Sequence, residues 1–252
     1  MTTPLPLEGR TLLITGASSG LGAHFARLAV SAGARVVLGA RRVERVAVLA
    51  QELGQGKAVA VPMDVTDEAS IIAAFDAAEA ALGPIDTVIA NAGMAAPGRS
   101  TDVSVEALRQ LTDTNFTGVY LTAREAARRM IAHGIGTRGR ILLIGSITAG
   151  MTGQGDAAYA AGKAAVAHLG RNLAREWVRI GITVNTIQPG YIATEIAGDW
   201  FDTPGGQAQI AAFHRRRLQP VESLDGAVLY FCSDASGSTT GATLTVDDGQ
   251  SL

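Results

Sequence analysis

Thr11-Leu12-Leu13-Ile14-Thr15-Gly16-Ala17-Ser18-Ser19-Gly20-Leu21-Gly22 runs from a short apolar strand through a glycine turn into an Ala-rich helix. A helix N-terminus offers unsatisfied N–H groups and positive potential, and glycines let an anion approach the backbone. The run is therefore a candidate pyrophosphate cradle, with Gly16, Ser18, Ser19, Gly20, Leu21 and Gly22 as contacts. Its spacing departs from the G-x-G-x-x-G fingerprint, and a plain glycine-rich strand–helix turn would read the same way. What favours the cradle is its place directly after the first strand.

Outward from this turn, short β-branched and Leu-rich runs alternate with longer segments of helical period. Strands are predicted at Thr11–Thr15, Arg35–Gly39, Lys57–Pro62, Thr87–Ala90, Arg140–Ile144, Thr183–Ile187 and Thr243–Val246. Helices are predicted at Leu21–Ala32, Val43–Leu53, Glu68–Leu82, Val105–His133, Ala157–Ile180 and Ser223–Ser233. The alternation predicts a Rossmann-type α/β fold: a doubly wound, parallel, seven-stranded sheet with helices on both faces. Continuously apolar strands such as Ile141-Leu142-Leu143-Ile144 suit burial on both sides. No repeat or linker interrupts residues 1–252, which read as one domain. The less regular stretch Tyr191–Gln219 follows a strand end, where ligands bind in such sheets, and is a candidate substrate lid.

With 47% hydrophobic and 17% charged residues, the chain can build a substantial core. A net charge of -2 with dispersed basic residues gives no footprint for nucleic acid. The lone Cys232, in an apolar run, fits a packing role and a reducing cytoplasm. Met1–Arg10 shows no signal pattern, and no apolar stretch approaches the length of a membrane span. The four histidines are scattered without ligand spacing, so no metal site is expected.

The second strand ends Leu38-Gly39-Ala40-Arg41-Arg42, with no acid before Glu44. A carboxylate at this point would bind the ribose hydroxyls of NAD, whereas arginine pairs with the 2′-phosphate of NADP. NADP(H) is therefore expected over NAD(H), with Arg41 the chief phosphate ligand and Arg42 in support.

Tyr159-Ala160-Ala161-Gly162-Lys163 places a phenol and an ammonium at i and i+4, on one helix face. At about 4 Å and an effective dielectric of about 20, their attraction is about 4 kcal/mol, roughly three pKa units before desolvation. That expectation is of a tyrosine whose pKa is pulled down toward neutrality, fit for general acid–base work. Tyr-x-x-x-Lys alone is also what a solvated Ala-rich helix would carry.

Taken together, these motifs resemble the short-chain dehydrogenase/reductase family, in its single-domain branch of about 250 residues, from Gly9 to Gly249. The match includes the glycine turn, Asp64-Val65, Asn91-Ala92-Gly93, Asn115, Ser146, Tyr159/Lys163, and Pro189-Gly190 with Ile192 and Thr194. The resemblance implies that Asp64 accepts from the adenine amino group with Val65 beside the ring. It implies close backbone passage at Asn91-Ala92-Gly93 and at Pro189-Gly190, and carboxamide contacts from Ile192 and Thr194. Tyr159 would be the acid/base, Lys163 would bind the nicotinamide ribose and lower the tyrosine pKa, and Ser146 would bind the substrate oxygen. Asn115 would hold a water linking Lys163 to solvent. Departures are Ala90 in place of a first asparagine, Gln188 before Pro189, and Asp247-Asp248-Gly249-Gln250 after the last strand, which is expected to alter a subunit contact.

The function expected is hydride transfer between NADP(H) and a ketone or secondary alcohol, by a carbonyl reductase or alcohol dehydrogenase. The same core supports 3-oxoacyl-acyl-carrier-protein reduction, for which Arg128-Arg129 and Arg215–Arg217 would offer a basic docking surface. A non-catalytic dinucleotide sensor is the alternative of another class; intact Asn115, Ser146, Tyr159 and Lys163 speak against it. Substrate contacts are expected from Ser146, Tyr159, Tyr191 and Gln154, with Gln154 the polar recognition group. The family resemblance implies a homotetramer with no nucleic-acid or membrane partner.

Overall fold

A computed structural model describes residues 5–252; the first four residues of the Met1–Arg10 stretch lie outside them. Seven parallel strands form one sheet in the order β3-β2-β1-β4-β5-β6-β7. They are β1 Thr11–Thr15, β2 Arg35–Ala40, β3 Ala58–Pro62, β4 Thr87–Ala90, β5 Arg140–Ile144, β6 Thr183–Pro189 and β7 Thr243–Val246. Leu12 faces Val36 on one side and Thr87 on the other, so strand order reverses at β1/β4. In such sheets a crevice opens there, at the carboxyl ends of the strands.

Eight helices flank the sheet: α1 Gly20–Ser31, α2 Val43–Leu53, α3 Glu68–Leu82, α4 Val105–Thr112, α5 Gly118–Ala132, α6 Ala157–Trp177, α7 Pro204–Ala212 and α8 Asp225–Cys232. The strand period of two divides the core cleanly. Leu13, Val37, Val88, Ile141, Leu143 and Val184 pack with residues of α3, α5 and α6. Their neighbours Leu12, Ile14, Val36, Leu38, Ile89, Leu142, Ile144 and Ile187 pack with α1, α2 and α8. Every residue of β1, β4 and β5 is buried, which is why these strands read as unbroken apolar runs.

Two expectations need correction. The long helix expected over Val105–His133 is broken by a π-helical turn, Asp113–Thr117, between α4 and α5. The Tyr191–Gln219 stretch holds more structure than expected: 3₁₀ turns at Glu195–Ala197 and Trp200–Asp202, then α7. Thr203 caps α7 by accepting from Gly206 N–H, and Pro204 stands in its first turn, where its missing N–H costs nothing. Gln250, in the segment expected to alter a subunit contact, is buried, and its Oε1 accepts from Tyr191 N–H at 2.6 Å, so it anchors the start of that stretch within the subunit.

Candidate active site

Above the β1/β4 crevice lies one cleft of ≈ 1250 Å³. Of the residues singled out in the sequence, it is lined by Gly16, Ser18, Ser19, Gly20, Leu21, Arg41, Arg42, Asp64, Val65, Asn91, Ala92, Gly93, Ser146, Gln154, Tyr159, Lys163, Pro189, Gly190, Tyr191, Ile192 and Thr194. Gly22 and Asn115 do not reach its wall.

Gly16 and Gly20 have φ of 67° and 51°, a region L-residues rarely adopt. Ser19, the N-cap of α1, makes no side-chain cap bond, which leaves first-turn N–H groups to an acceptor in the cleft. Gly22 serves the turn from behind: a Cβ there would lie 2.7 Å from Asn91 Nδ2. Asn91 bridges the crevice, donating from Nδ2 to Thr15 O at 2.9 Å and from its amide to Thr15 Oγ1 at 3.0 Å. The asparagine thus fixes the end of β4 against the glycine turn.

At the rim, Arg41 is exposed and Arg42 partly buried. Arg42 donates to Ser18 Oγ and Ser19 Oγ, at 2.9 and 2.8 Å from Nη2. Burial pulls the Asp64 carboxyl up, but hydrogen bonds from Thr66 and the Arg41 charge outweigh it and hold it below the usual range. Uncapped amides, two serine hydroxyls and two guanidiniums form a donor set suited to a diphosphate and a further phosphate. The cleft is also large enough for a dinucleotide.

The opposite half of the cleft brings together the residues singled out for proton chemistry. Ser146 caps a 3₁₀ turn at the end of β5, accepting from Thr148 N–H at 3.2 Å and Thr148 Oγ1 at 2.9 Å. Tyr159 and Lys163 lie on the first turns of α6, and Tyr159 shares the cleft wall with Ser146. Lys163 is buried, donates to Ile144 O at 2.8 Å, and stands 5.7 Å from the Tyr159 ring centroid.

The expected downward shift of the tyrosine is reversed. Burial pushes Tyr159 up to about 12 against the lowering effect of its Ser146 hydrogen bond, while Tyr191 and Asp156 push it further up. Burial also brings Lys163 down to about 8. Desolvation weakens the lysine as a cation in the place where the sequence pairing counted on its full charge. At neutral pH the phenol is a proton donor.

Asn115 sits behind this pair. The π-turn directs it onto Met94, whose N–H it accepts and whose carbonyl it donates to, both at 2.8 Å. Gly93 lies between Asn115 and Lys163: a Cβ built on it would be in ordinary contact with both Asn115 Oδ1, at 3.5 Å, and Lys163 Nζ, at 3.8 Å.

Gln154 is exposed, whereas Asp156, unremarked in the sequence, is partly buried in the cleft wall, with Oδ1 enclosed and lacking a hydrogen-bond partner. An acid three residues before the tyrosine was visible in the sequence; its charge acting on both Tyr159 and Tyr191 was not. Asp156→Asn removes one of the groups that raise Tyr159. In any reaction that uses the Tyr159 phenolate as its base, the rising limb of the pH–rate profile is expected to move to lower pH. An unmoved limb contradicts the coupling. Aromatic contacts close the substrate side: Tyr191 stacks on Phe213 at 5.6 Å and meets Phe201 edge-on at 6.1 Å. Gln219, also missed, accepts from Gly190 N–H at 3.0 Å.

The short chain dehydrogenase family model matches residues 10–205. Cis-4-hydroxycyclohexanecarboxylate dehydrogenase of Sinomonas cyclohexanicum is 38% identical, covering 95% of this chain and 96% of its own. The 3-oxoacyl-acyl-carrier-protein reductase of Escherichia coli is 33% identical, with 96% and 97% covered. A gluconate 5-dehydrogenase from Burkholderia cenocepacia, solved with NADP and tartrate, superposes with a TM-score of 0.91 at 34% identity, covering 97% of this chain and 96% of that one. The chain belongs to the short-chain dehydrogenase family, oxidoreductases that act on CH–OH groups with a nicotinamide dinucleotide. Among the described residues no helix is long and apolar enough to cross a membrane.

Proposed function

We propose that this chain interconverts a ketone and a secondary alcohol with NADP(H), using Tyr159 as acid/base. The observation that carries this reading is the convergence of Ser146, Tyr159 and Lys163 on the cleft that also holds the glycine turn and the two arginines. A bound nicotinamide supplies or takes the hydride. In reduction, Ser146 Oγ donates a hydrogen bond to the substrate oxygen as its charge grows, and the Tyr159 hydroxyl delivers the proton. Preorganised donors of this kind are typically worth about 2.7–4 kcal/mol each, because they need no reorientation in the transition state. Lys163, held between Ile144 O and the tyrosine face, contacts the ribose and returns a proton toward Tyr159. Asn115 positions this relay through Met94 and Gly93. Asp64 and Val65 take the adenine, and Ile192 and Thr194 the carboxamide.

Arg41 and Arg42 carry the preference for NADP(H). In Arg41→Asp, the KM for NADP(H) is expected to rise more than tenfold while that for NAD(H) falls or holds, since a fixed cation–phosphate pair is exchanged for repulsion. An unchanged ratio of the two KM values counts against the assignment.

Carrier-protein reduction, suggested by the relative at 33% identity, is less well served by the surface. Arg129 is committed to Asp76, Glu79 and Glu125, and Arg215 and Arg217 both pair with Asp248. Arg129 is thus answered within the subunit, while Asp248 offsets one charge of the Arg215–Arg217 run. Residues 191–219 act as a lid in this reading, and protection from proteolysis by NADPH with a ketone checks it. The exposed Leu108, Tyr120 and Ile131 on α4 and α5, with Leu244 on edge strand β7, support a homotetramer. Light scattering on the purified protein is expected to give four times the 25.9 kDa chain mass; a monomer mass contradicts it.

A further inference from the structure

Glu195 reaches from the turn after β6 across the mouth of the cleft to the start of α2. Its carboxylate accepts from Arg42 Nη1 at 2.9 Å and from Arg45 Nη1 at 2.7 Å, residues about 150 positions away in the chain. Hydrogen bonds from Arg42 and Arg45 bring its carboxyl down to about 2, with the nearby Ser19 hydroxyl lowering it as well, so it is an anion at any physiological pH. Arg42 meanwhile spends Nε and Nη2 on Ser18 Oγ, at 3.1 and 2.9 Å, and Nη2 also on Ser19 Oγ. Its donors are thus divided between the turn and a carboxylate from the far side of the cleft.

Carboxylates and phosphates compete for the same guanidinium geometry. We propose that Glu195 is a specificity-determining residue for the cofactor: its carboxylate competes with the 2′-phosphate of NADP(H) for Arg42 and Arg45. A cofactor without that phosphate leaves both ion pairs intact. A cofactor with it must displace Glu195 or bind beside a like charge, so the chain holds NADP(H) less tightly than its arginines alone would allow. The inference rests on the reading that Arg41 and Arg42 face the adenosine ribose. It also ties cofactor choice to the Glu195–Ala197 turn, the first element of the stretch over the cleft.

The test uses calorimetric titration of the full chain with 2′,5′-ADP and with 5′-AMP, probes that carry the adenosine end and lack nicotinamide. Exposed ion pairs are each worth up to about 1 kcal/mol, so Glu195→Gln is expected to tighten 2′,5′-ADP about fivefold, or about 1 kcal/mol. Binding of 5′-AMP should change by less than about twofold, because its ribose leaves both pairs in place. Equal tightening of both probes, or no tightening of 2′,5′-ADP, overturns the proposal. Failure of the arginine reading looks different: wild type would then bind 2′,5′-ADP no better than 5′-AMP. If Glu195→Gln uncovers a preference absent from wild type, competition stands and the native preference for NADP(H) falls. If it uncovers none, both fall.

Discussion

Tyr159→Phe is expected to lower kcat for ketone reduction about a thousandfold while leaving the Kd for NADPH within about twofold, the span assigned to a positioned general acid. The substitution is narrow. It keeps the ring that Lys163 approaches at 5.7 Å and removes only the hydroxyl. No other group in the cleft replaces it: Lys163 is tied to Ile144 O, and Ser146 is not acidic enough to deliver a proton. Stopped-flow turnover beside fluorescence titration of NADPH separates chemistry from binding. Retention of more than a tenth of wild-type kcat contradicts the role.

Gly22→Ala should produce the second large effect, on binding and stability together. The added Cβ would stand 2.4 Å from Gly16 O and 2.7 Å from Asn91 Nδ2, both inside van der Waals contact. The carbonyl belongs to the turn itself and cannot swing away. Asn91 cannot yield without releasing Thr15, which aligns β1 with β4. Overpacking of this kind costs about 1–3 kcal/mol, or a fall in Tm of about 2–10 °C for a chain of this size. NADPH affinity should fall at least about tenfold as the α1 amides lose their aim. Thermal melts with and without NADPH check both. An unchanged Tm contradicts the close approach.

The strands were legible because β1, β4 and β5 are buried on both faces and carry little but apolar side chains. The glycine turn, the arginine pair and Tyr159/Lys163 were legible because each is local, within a few residues of a strand end or on one helical face. What escaped depends on contacts between residues far apart in the chain. The π-turn at Asp113–Thr117 leaves no mark on side-chain periodicity, and the clasp of its Asn115 on Met94 joins residues 21 positions apart. Glu195 meets Arg42 and Arg45 only once β6 is laid in the sheet. The sign of the Tyr159 shift was lost for the same reason: spacing gives the distance to a charge, whereas desolvation depends on what the tertiary structure places around both groups. Gln250 departs from the family pattern after the last strand, and inside the subunit its amide meets both the N–H and the carbonyl of Tyr191, a contact that its sequence neighbours do not announce.

The central claim is that this cleft performs carbonyl chemistry. Its most direct test is NADPH absorbance followed with wild-type protein over a panel of cyclic ketones, ketoesters and acyl thioesters. Consumption of NADPH with at least one ketone, matched by an equal amount of alcohol formed, is the predicted result. Tight NADPH binding with no consumption across the whole panel would contradict it and leave a dinucleotide sensor in its place.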